Sequence, residues 1–328
     1  MIWYKDNNSD IVISTRIRLA RNIEGIPFPS ALKNTKEVTE QIKGSILSSN
    51  STLSKDFEFI NLDEICALEK EKLREEHLIS PQMVNGQGRS VMINKDRTMS
   101  IMLMEEDHIR LQIIEGGDRL FEAYETASRV DDVIEESVSY AFDSDFGYLT
   151  ACPTNAGTGL RASLMLHLPA LTATNNISRI LATVSNMGIT VRGLYGEGTK
   201  AYGCLYQVSN QVTLGVSEKE IIEKLNNVVK QITDAERRAR KALEEKNGDY
   251  LKNKVLRSYG LLKYAYTMES AEAKELLSDV ILGQNMGIIP KGAVSPLECM
   301  INITPSFIGG DDAVQRDRKR ARYLNENI

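Results

Sequence analysis

The chain has 328 residues, 42% of them hydrophobic and 26% charged, with a formal net charge of -5; this is enough to bury a full core and, by length alone, to form about two domains. The acidic balance excludes a general nucleic-acid binder, which needs a basic surface to displace counterions from phosphates. Four scattered cysteines without a C-x-x-C pair and only three histidines suggest neither a disulfide framework nor a zinc site, and no apolar run approaches the roughly 20 residues that span a bilayer, so a cytoplasmic protein away from membranes is expected.

Taken in chain order, Ile11, Ile13, Ile17 and Leu19 share one face of a strand over 11–19, which leaves Ser14, Arg16 and Arg18 together on the other. Helices follow near 36–49 and 62–77, then three closely spaced strands, "RSVMIN", "TMSIMLM" and "HIRLQII", that pattern as antiparallel neighbours. An amphipathic helix is expected over 118–141. Next come a short strand "GYLTAC", a glycine-rich loop, a helix over 158–168, another over 175–187, and strands at "ITVRGLY" and "CLYQVSN". Beyond residue 217 only helical periodicity remains, ending in the basic stretch "DAVQRDRKRARYLNEN". The pattern predicts an α+β fold, a mixed and mainly antiparallel sheet flanked by helices, with a C-terminal helical domain; the junction falls near 240–248, at "KNGD", dividing the chain into 1–240 and 241–328.

Four segments carry candidate chemistry. "STRIRLARN" sets Arg16 and Arg18 side by side on one strand face. In "EEDHIR", extended geometry reaching back from the following strand puts Glu106, His108 and Arg110 on one face, making Glu106 rather than Glu105 the candidate carboxylate. "CPTNAGTGLRA" places Gly157 and Gly159 ahead of an expected helix bearing Arg161; it reads either as a phosphate cradle or as a plain structural turn. There Cys152 is either a thiolate, its pKa lowered by a helix dipole and nearby arginines, or a buried inert thiol. "VRGLYGEG" puts Arg192 at a strand end and Glu197 between glycines, on a loop able to move over a substrate. Arginines converging on one pocket repel one another unless a polyanion sits between them, and a nucleotide triphosphate is such an anion. Two carboxylates beside it suit a cationic acceptor. A guanidinium, planar and always charged, can be aligned by two acids in line with a γ-phosphoryl group.

These four motifs, in this order and spacing, resemble the ATP:guanidino phosphotransferase superfamily, the fold of creatine and arginine kinases, over about residues 10–240. The resemblance implies that Arg16, Arg18, Arg110, Arg161 and Arg192 hold the phosphates of ATP, that Glu106 and Glu197 grip and activate the guanidinium, that Cys152 lies beside it, and that Mg2+ bridges the phosphates without a dedicated protein metal site. Two departures follow: the first arginine motif begins at residue 14, which leaves no room for the helical lid of the small-molecule kinases, and the chain continues to "RDRKRA". Both features resemble the bacterial protein-arginine kinases of the McsB type, whose C-terminal domain carries an R-D-x-x-R-A phosphoarginine-binding motif matched by Arg316, Asp317, Arg320 and Ala321. On its own residues, that segment reads as a basic terminal helix.

The expectation is a transferase, an ATP-dependent kinase of protein arginine in a cytoplasmic stress-response and protein-quality-control setting. The resemblance implies arginine-bearing protein substrates, a Clp-type unfoldase and protease, a zinc-binding activator, a repressor substrate and a homodimer. Two rival readings stand beside it: a phosphagen kinase acting on free arginine, against which the first 13 residues speak, and a phosphoarginine-binding adaptor with a decayed kinase site, against which the intact arginines and glutamates speak.

Overall fold

Alternation of apolar side chains makes "VISTRIRLAR" a ten-residue strand, β1 (Val12–Arg21), with Ile13, Ile17 and Leu19 buried. A computed structural model describes residues 2–5, 9–47, 56–193, 201–292 and 294–328. After β1 come α1 (Thr35–Leu47), β2 (Phe57–Asn61), α2 (Ala67–Glu75), α3 (Pro81–Asn85), β3 (Ser90–Asn94), β4 (Met99–Leu103), β5 (Ile109–Gly116) and α4 (Leu120–Glu135). Short strands β6 (Phe142–Asp143) and β7 (Gly147–Tyr148) pair with each other, followed by β8 (Leu160–His167), α5 (Pro169–Ala173), α6 (Ile177–Ser185), β9 (Ile189–Gly193) and β10 (Leu205–Asn210). The rest is helical: α7 (Glu218–Tyr264), α8 (Ser270–Asn285), α9 (Pro296–Asn302), α10 (Pro305–Ile308) and α11 (Ala313–Asn327). Among the described residues no helix is long and apolar enough to cross a membrane.

Eight strands form one sheet in the order β2-β3-β4-β5-β1-β8-β10-β9, and the pairs β2/β3, β3/β4, β4/β5 and β5/β1 are antiparallel. The fold is therefore the expected α+β arrangement of a mainly antiparallel sheet with helices and a helical C-terminal region. By contacts the chain groups into two compact units, one of Met1–Asp6, Ser14–Leu164 and Ser209–Asn226, the other of Asn7–Ile13, Met165–Val208 and Asn227–Ile328. In the first, α4 turns Leu120, Ala123, Ala127, Val130 and Ile134 to the interior at the 3- and 4-residue spacing of one helical stripe. In the second, Glu236 is fully buried and accepts the free N–H groups of Ala170 and Leu171 at the start of α5 (3.0 and 2.9 Å), while Arg240 pairs with it at 2.9 Å.

One expected element differs in kind. The segment expected as a helix over 158–168 is strand β8, in which Leu160, Ala162, Leu164 and Leu166 are all buried, two residues apart. Leu, Ala, Met and Arg are good helix formers, but β1 and β10 lie on either side of this segment and supply ladder partners, and that pairing overrides local propensity. The "KNGD" stretch lies inside α7, where only Asn247 leaves helical geometry (φ -139°, ψ 34°).

Candidate active site

The site is built on strand register within the first unit. Ala20 on β1 stands opposite Arg110 on β5, Arg18 opposite Gln112 and Arg16 opposite Ile114, so the two-residue period of a strand turns Arg16, Arg18 and Arg110 to the same face. Arg161 is the second residue of β8, the next strand over. These four guanidinium groups feel one another. Burial first, and then repulsion from Arg161 and Arg110, pushes Arg16 down to about 10. Burial and the charges of Arg16, Arg110 and Arg161 push Arg18 well below its ordinary value, against a smaller opposing pull from Glu105. Nε of Arg18 is enclosed and has no hydrogen-bond partner. Guanidinium groups that repel one another in a desolvated cluster favour a bound polyanion, because a charge of opposite sign among them relieves that repulsion.

Glu105 to His108 do not extend β5 backwards; they form the turn that joins β4 to β5, entered through Met104 at φ 60° and closed by Met104 N–H donating to His108 O (3.1 Å). The shared strand face expected for Glu106, His108 and Arg110 is thereby replaced by three different surroundings. Glu105 is buried and accepts from Arg110 Nη1 (2.6 Å) and from Ser80 Oγ. His108 is buried, its Nδ1 accepting from Ile23 N–H (3.0 Å) and its Nε2 donating to Pro27 O (2.9 Å), and burial lowers its pKa. Glu106 alone keeps an open carboxylate, 34% exposed and 3.5 Å from Arg110 Nη2. Partial burial, helped by Asp107 and Glu105 and opposed by Arg110, raises its pKa above the usual carboxylate value, a shift in the direction of proton uptake near neutral pH.

Two residues that sequence reasoning passed over hold this turn. Asp107 is fully buried; its Oδ1 accepts from Asn22 Nδ2 (2.7 Å) and from Ala151 N–H (2.7 Å). Asn22 in turn accepts from His108 N–H (2.9 Å) and donates to Leu149 O (3.0 Å). The residue after Glu106 is thus tied to the residue before Cys152, with the end of β1 as the anchor. The sequence signal was present, a carboxylate between Glu106 and His108, but burial is not legible in a motif.

The glycine loop is not an anion cradle. Gly157 N–H donates to Tyr148 O (3.4 Å), Thr158 N–H to Thr213 O (3.0 Å) and Gly159 N–H to Asn155 O (3.0 Å), so all three amides are occupied by the protein. The glycines serve close packing: Gly157 lies at φ +103° where a Cβ would overlap the Thr213 carbonyl, and one on Gly159 (φ +63°) would come within 2.6 Å of Ala20 O. Only the short 3-10 turn of Pro153–Asn155 follows Cys152, so no α-helix dipole acts on its thiol; its Sγ lies 3.0 Å from Thr154 Oγ1. Arg192 belongs to the second unit, where it is exposed on β9. Glu197 lies outside the described residues.

On α11, Arg316, Asp317, Arg320 and Ala321 follow one another over two turns. Ala321 is buried, and Arg316 donates to Gly310 O (3.1 Å). Arg320 is 2% exposed and donates to Ile303 O (3.1 Å), Met268 O (2.8 Å) and Asp317 (2.5 Å). Its guanidinium ties the turn before α8 and the end of α9 to α11.

Comparison with known proteins agrees with this geometry. The ATP:guanido phosphotransferase C-terminal catalytic domain matches residues 37–239, and the protein-arginine kinase McsB C-terminal domain matches 248–328. A protein-arginine kinase of Brevibacillus brevis is 46% identical over 99% of this chain and 94% of its own length, and one of Bacillus subtilis is 43% identical over 99% and 93%. Among solved structures, lombricine kinase superposes with a TM-score of 0.62 at 27% identity, covering 71% of this chain and 68% of that one. Sheet and helices have the architecture of a guanidino-kinase catalytic domain. The chain belongs to the protein-arginine kinase family of ATP:guanido phosphotransferases.

Proposed function

We propose that this chain transfers the γ-phosphoryl group of ATP to arginine side chains of proteins. The observation that carries the reading is the set of four mutually repelling guanidinium groups, Arg16, Arg18, Arg110 and Arg161, beside one open carboxylate of raised pKa, Glu106. The phosphates lie among the arginines, which neutralise the charge that builds on the transferring group and on the departing diphosphate. An acceptor nitrogen forms the bond to the γ-phosphorus as the bridging oxygen leaves with its electron pair on ADP, and Glu106 takes the proton that the guanidinium gives up. Magnesium enters as part of the nucleotide substrate, on its phosphate oxygens. Among the described residues no group of three His, Cys, Asp or Glu side chains is placed to hold a metal.

Arg192 and Glu197 complete the phosphate clamp and the acid pair in this reading, and Cys152 lies beside the acceptor. Residues 1–240 form the catalytic domain and 241–328 a helical domain that binds phosphoarginine through Arg316, Asp317, Arg320 and Ala321, a division supported by the two family matches at 37–239 and 248–328. Arg320 sets Asp317, which is left to pair with the modified guanidinium while Arg316 meets the phosphate. Removing the target's positive charge and donor fork breaks its salt bridges and marks it for degradation by a Clp-type unfoldase and protease. A zinc-binding activator, a repressor among the substrates, a homodimeric state and a cytoplasmic location belong to the same reading and rest on family likeness.

The test is phosphotransfer from labelled MgATP to an unfolded arginine-bearing protein and to free arginine in parallel. Acid-labile label on protein arginine, absent with Glu106→Gln, is the expected result. Label on free arginine alone makes this a phosphagen kinase, and transfer to neither, with phosphoarginine still bound, makes it an adaptor.

A further inference from the structure

We infer that the cleft beside the β6–β7 hairpin is the docking surface for a basic stretch of the substrate polypeptide, the stretch that flanks the arginine to be phosphorylated; the inference rests on the function proposed above. The cleft has a volume of about 570 Å3 and lies wholly within the first unit. It is lined by the apolar side chains of Phe142, Tyr148 and Leu214 and by the acidic residues Asp145, Glu218 and Glu220; among the described residues no lysine or arginine lines it. Phe142 is 62% and Leu214 47% exposed, a large apolar surface for a chain to leave in water.

The surface is held in shape. Tyr148 is fixed from below by the buried Arg21 guanidinium, 3.6 Å from its ring centroid, and Phe142 packs edge-on against Tyr148 at 5.2 Å. Glu218 accepts from Tyr124 Oη (2.6 Å), and Glu220 accepts from Ser217 N–H (2.7 Å) at the start of α7. Arg21 also reaches within 3.6 Å of Glu218, but its charge is already met by Asp131 at 2.7 Å. Aromatic faces ringed by fixed carboxylates suit lysine and arginine side chains, whose stems lie on the rings while the charged ends meet the acids. Preordered partners also lessen the ordering cost of capturing an unfolded chain.

The cleft is joined by hydrogen bonds to the loop of Cys152, which the function proposed above puts beside the acceptor. Thr213 on its wall donates through Oγ1 to Thr154 O (3.0 Å), and Thr154 Oγ1 meets Cys152 Sγ at 3.0 Å. A polypeptide lying in the cleft therefore runs alongside the loop at which its arginine is to react. A free amino acid has no flanking residues to place there.

The test compares two peptides with one arginine each, one flanked by lysine and leucine and the other by glutamate and glycine, on the full chain and on its Asp145→Lys and Leu214→Ser variants. The wild type is expected to favour the basic peptide by about tenfold in kcat/KM, through KM, and each variant to reduce that preference to about twofold or less; raising salt has the same effect. No preference in the wild type, or a preference that survives both substitutions, overturns the inference. If neither peptide is phosphorylated, the proposed function fails, and docking is read separately from the fluorescence anisotropy of the labelled basic peptide with lysine in place of arginine. Binding that is lost in both variants upholds the docking surface, whereas absent or unchanged binding overturns it.

Discussion

Replacing Asp107 with alanine tests the link between the Glu106 turn and the Cys152 loop. The Asp107 carboxylate is fully buried, and its Oδ1 holds both the Asn22 side-chain amide and the Ala151 N–H at 2.7 Å. Truncation takes the acceptor from one N–H of the buried Asn22 amide, whose other N–H keeps Leu149 O, and from the half-buried Ala151 N–H, which water can partly serve; with a buried donor worth about 1–3 kcal/mol, the first unit should lose about 2–4 kcal/mol. At roughly 2–4 °C per kcal/mol for a unit of this size, Tm of the first unit falls by on the order of 10 °C. Catalysis suffers separately, because the turn is free to shift; a displacement of about 1 Å between reacting groups costs on the order of 100-fold in kcat. Asp107→Asn retains an acceptor oxygen and changes only the position of Oδ2, which has no hydrogen-bond partner, so it should recover most of both losses. The assays are thermal unfolding by circular dichroism and transfer of labelled phosphate under saturating substrate. An alanine variant within 1 °C and twofold of the wild type, with thresholds set by the roughly 0.5 kcal/mol typical of surface substitutions, would show that Asp107 does not hold the two loops together.

Three further outcomes are expected. Arg18→Met removes a charge that is desolvated and repelled by Arg16, Arg110 and Arg161; the variant should unfold no earlier than the wild type without nucleotide yet lose the rise in Tm that MgATP produces, and scanning calorimetry with and without MgATP reads both. His167 is buried, its Nε2 is 2.7 Å from Ser278 Oγ, and burial, with Arg240 nearby, pushes its pKa down from 6.5 to about 3. Below about pH 6.5 the unfolded chain takes up a proton that the folded chain refuses; stability is intact above that pH and should fall by up to about 1.4 kcal/mol per unit toward pH 3, a slope that flattens in His167→Gln when urea midpoints are measured from pH 4 to 8. Arg320→Ala strips donors from the carbonyls of Ile303 and Met268 and leaves Asp317 unpaired. The helical region should lose about 3–5 kcal/mol, with little recovery in Arg320→Lys, whereas Arg316→Ala should lose phosphoarginine binding with its unfolding midpoint nearly unchanged.

Much of the site was legible because a strand's two-residue period is a local property. Arg16 and Arg18 share a face in any extended conformation, and the apolar partners Ile13, Ile17 and Leu19 decide which face turns inward. The choice of Glu106 over Glu105 rested on strand alternation, whereas in the structure a turn separates the two, burying Glu105 and leaving the Glu106 carboxylate open. Partners distant in sequence were beyond reach. Thr158 N–H meets Thr213 O, and Ala151 N–H meets Asp107, so whether a glycine loop offers its amides to a phosphate or to its own chain depends on residues the motif does not contain.

Side-chain type and local periodicity need no tertiary partner, and they set the chemistry available: the guanidinium and carboxylate groups, their alternation along β1, and a helical C-terminal region. That residues 160–167 are a strand, that Asp107 is a buried tie, and that Arg320 holds helices together depends on contacts between segments distant in the chain. Each of those outcomes turns on which donors and acceptors are already satisfied, and desolvation makes that balance decisive only once the chain has closed around it.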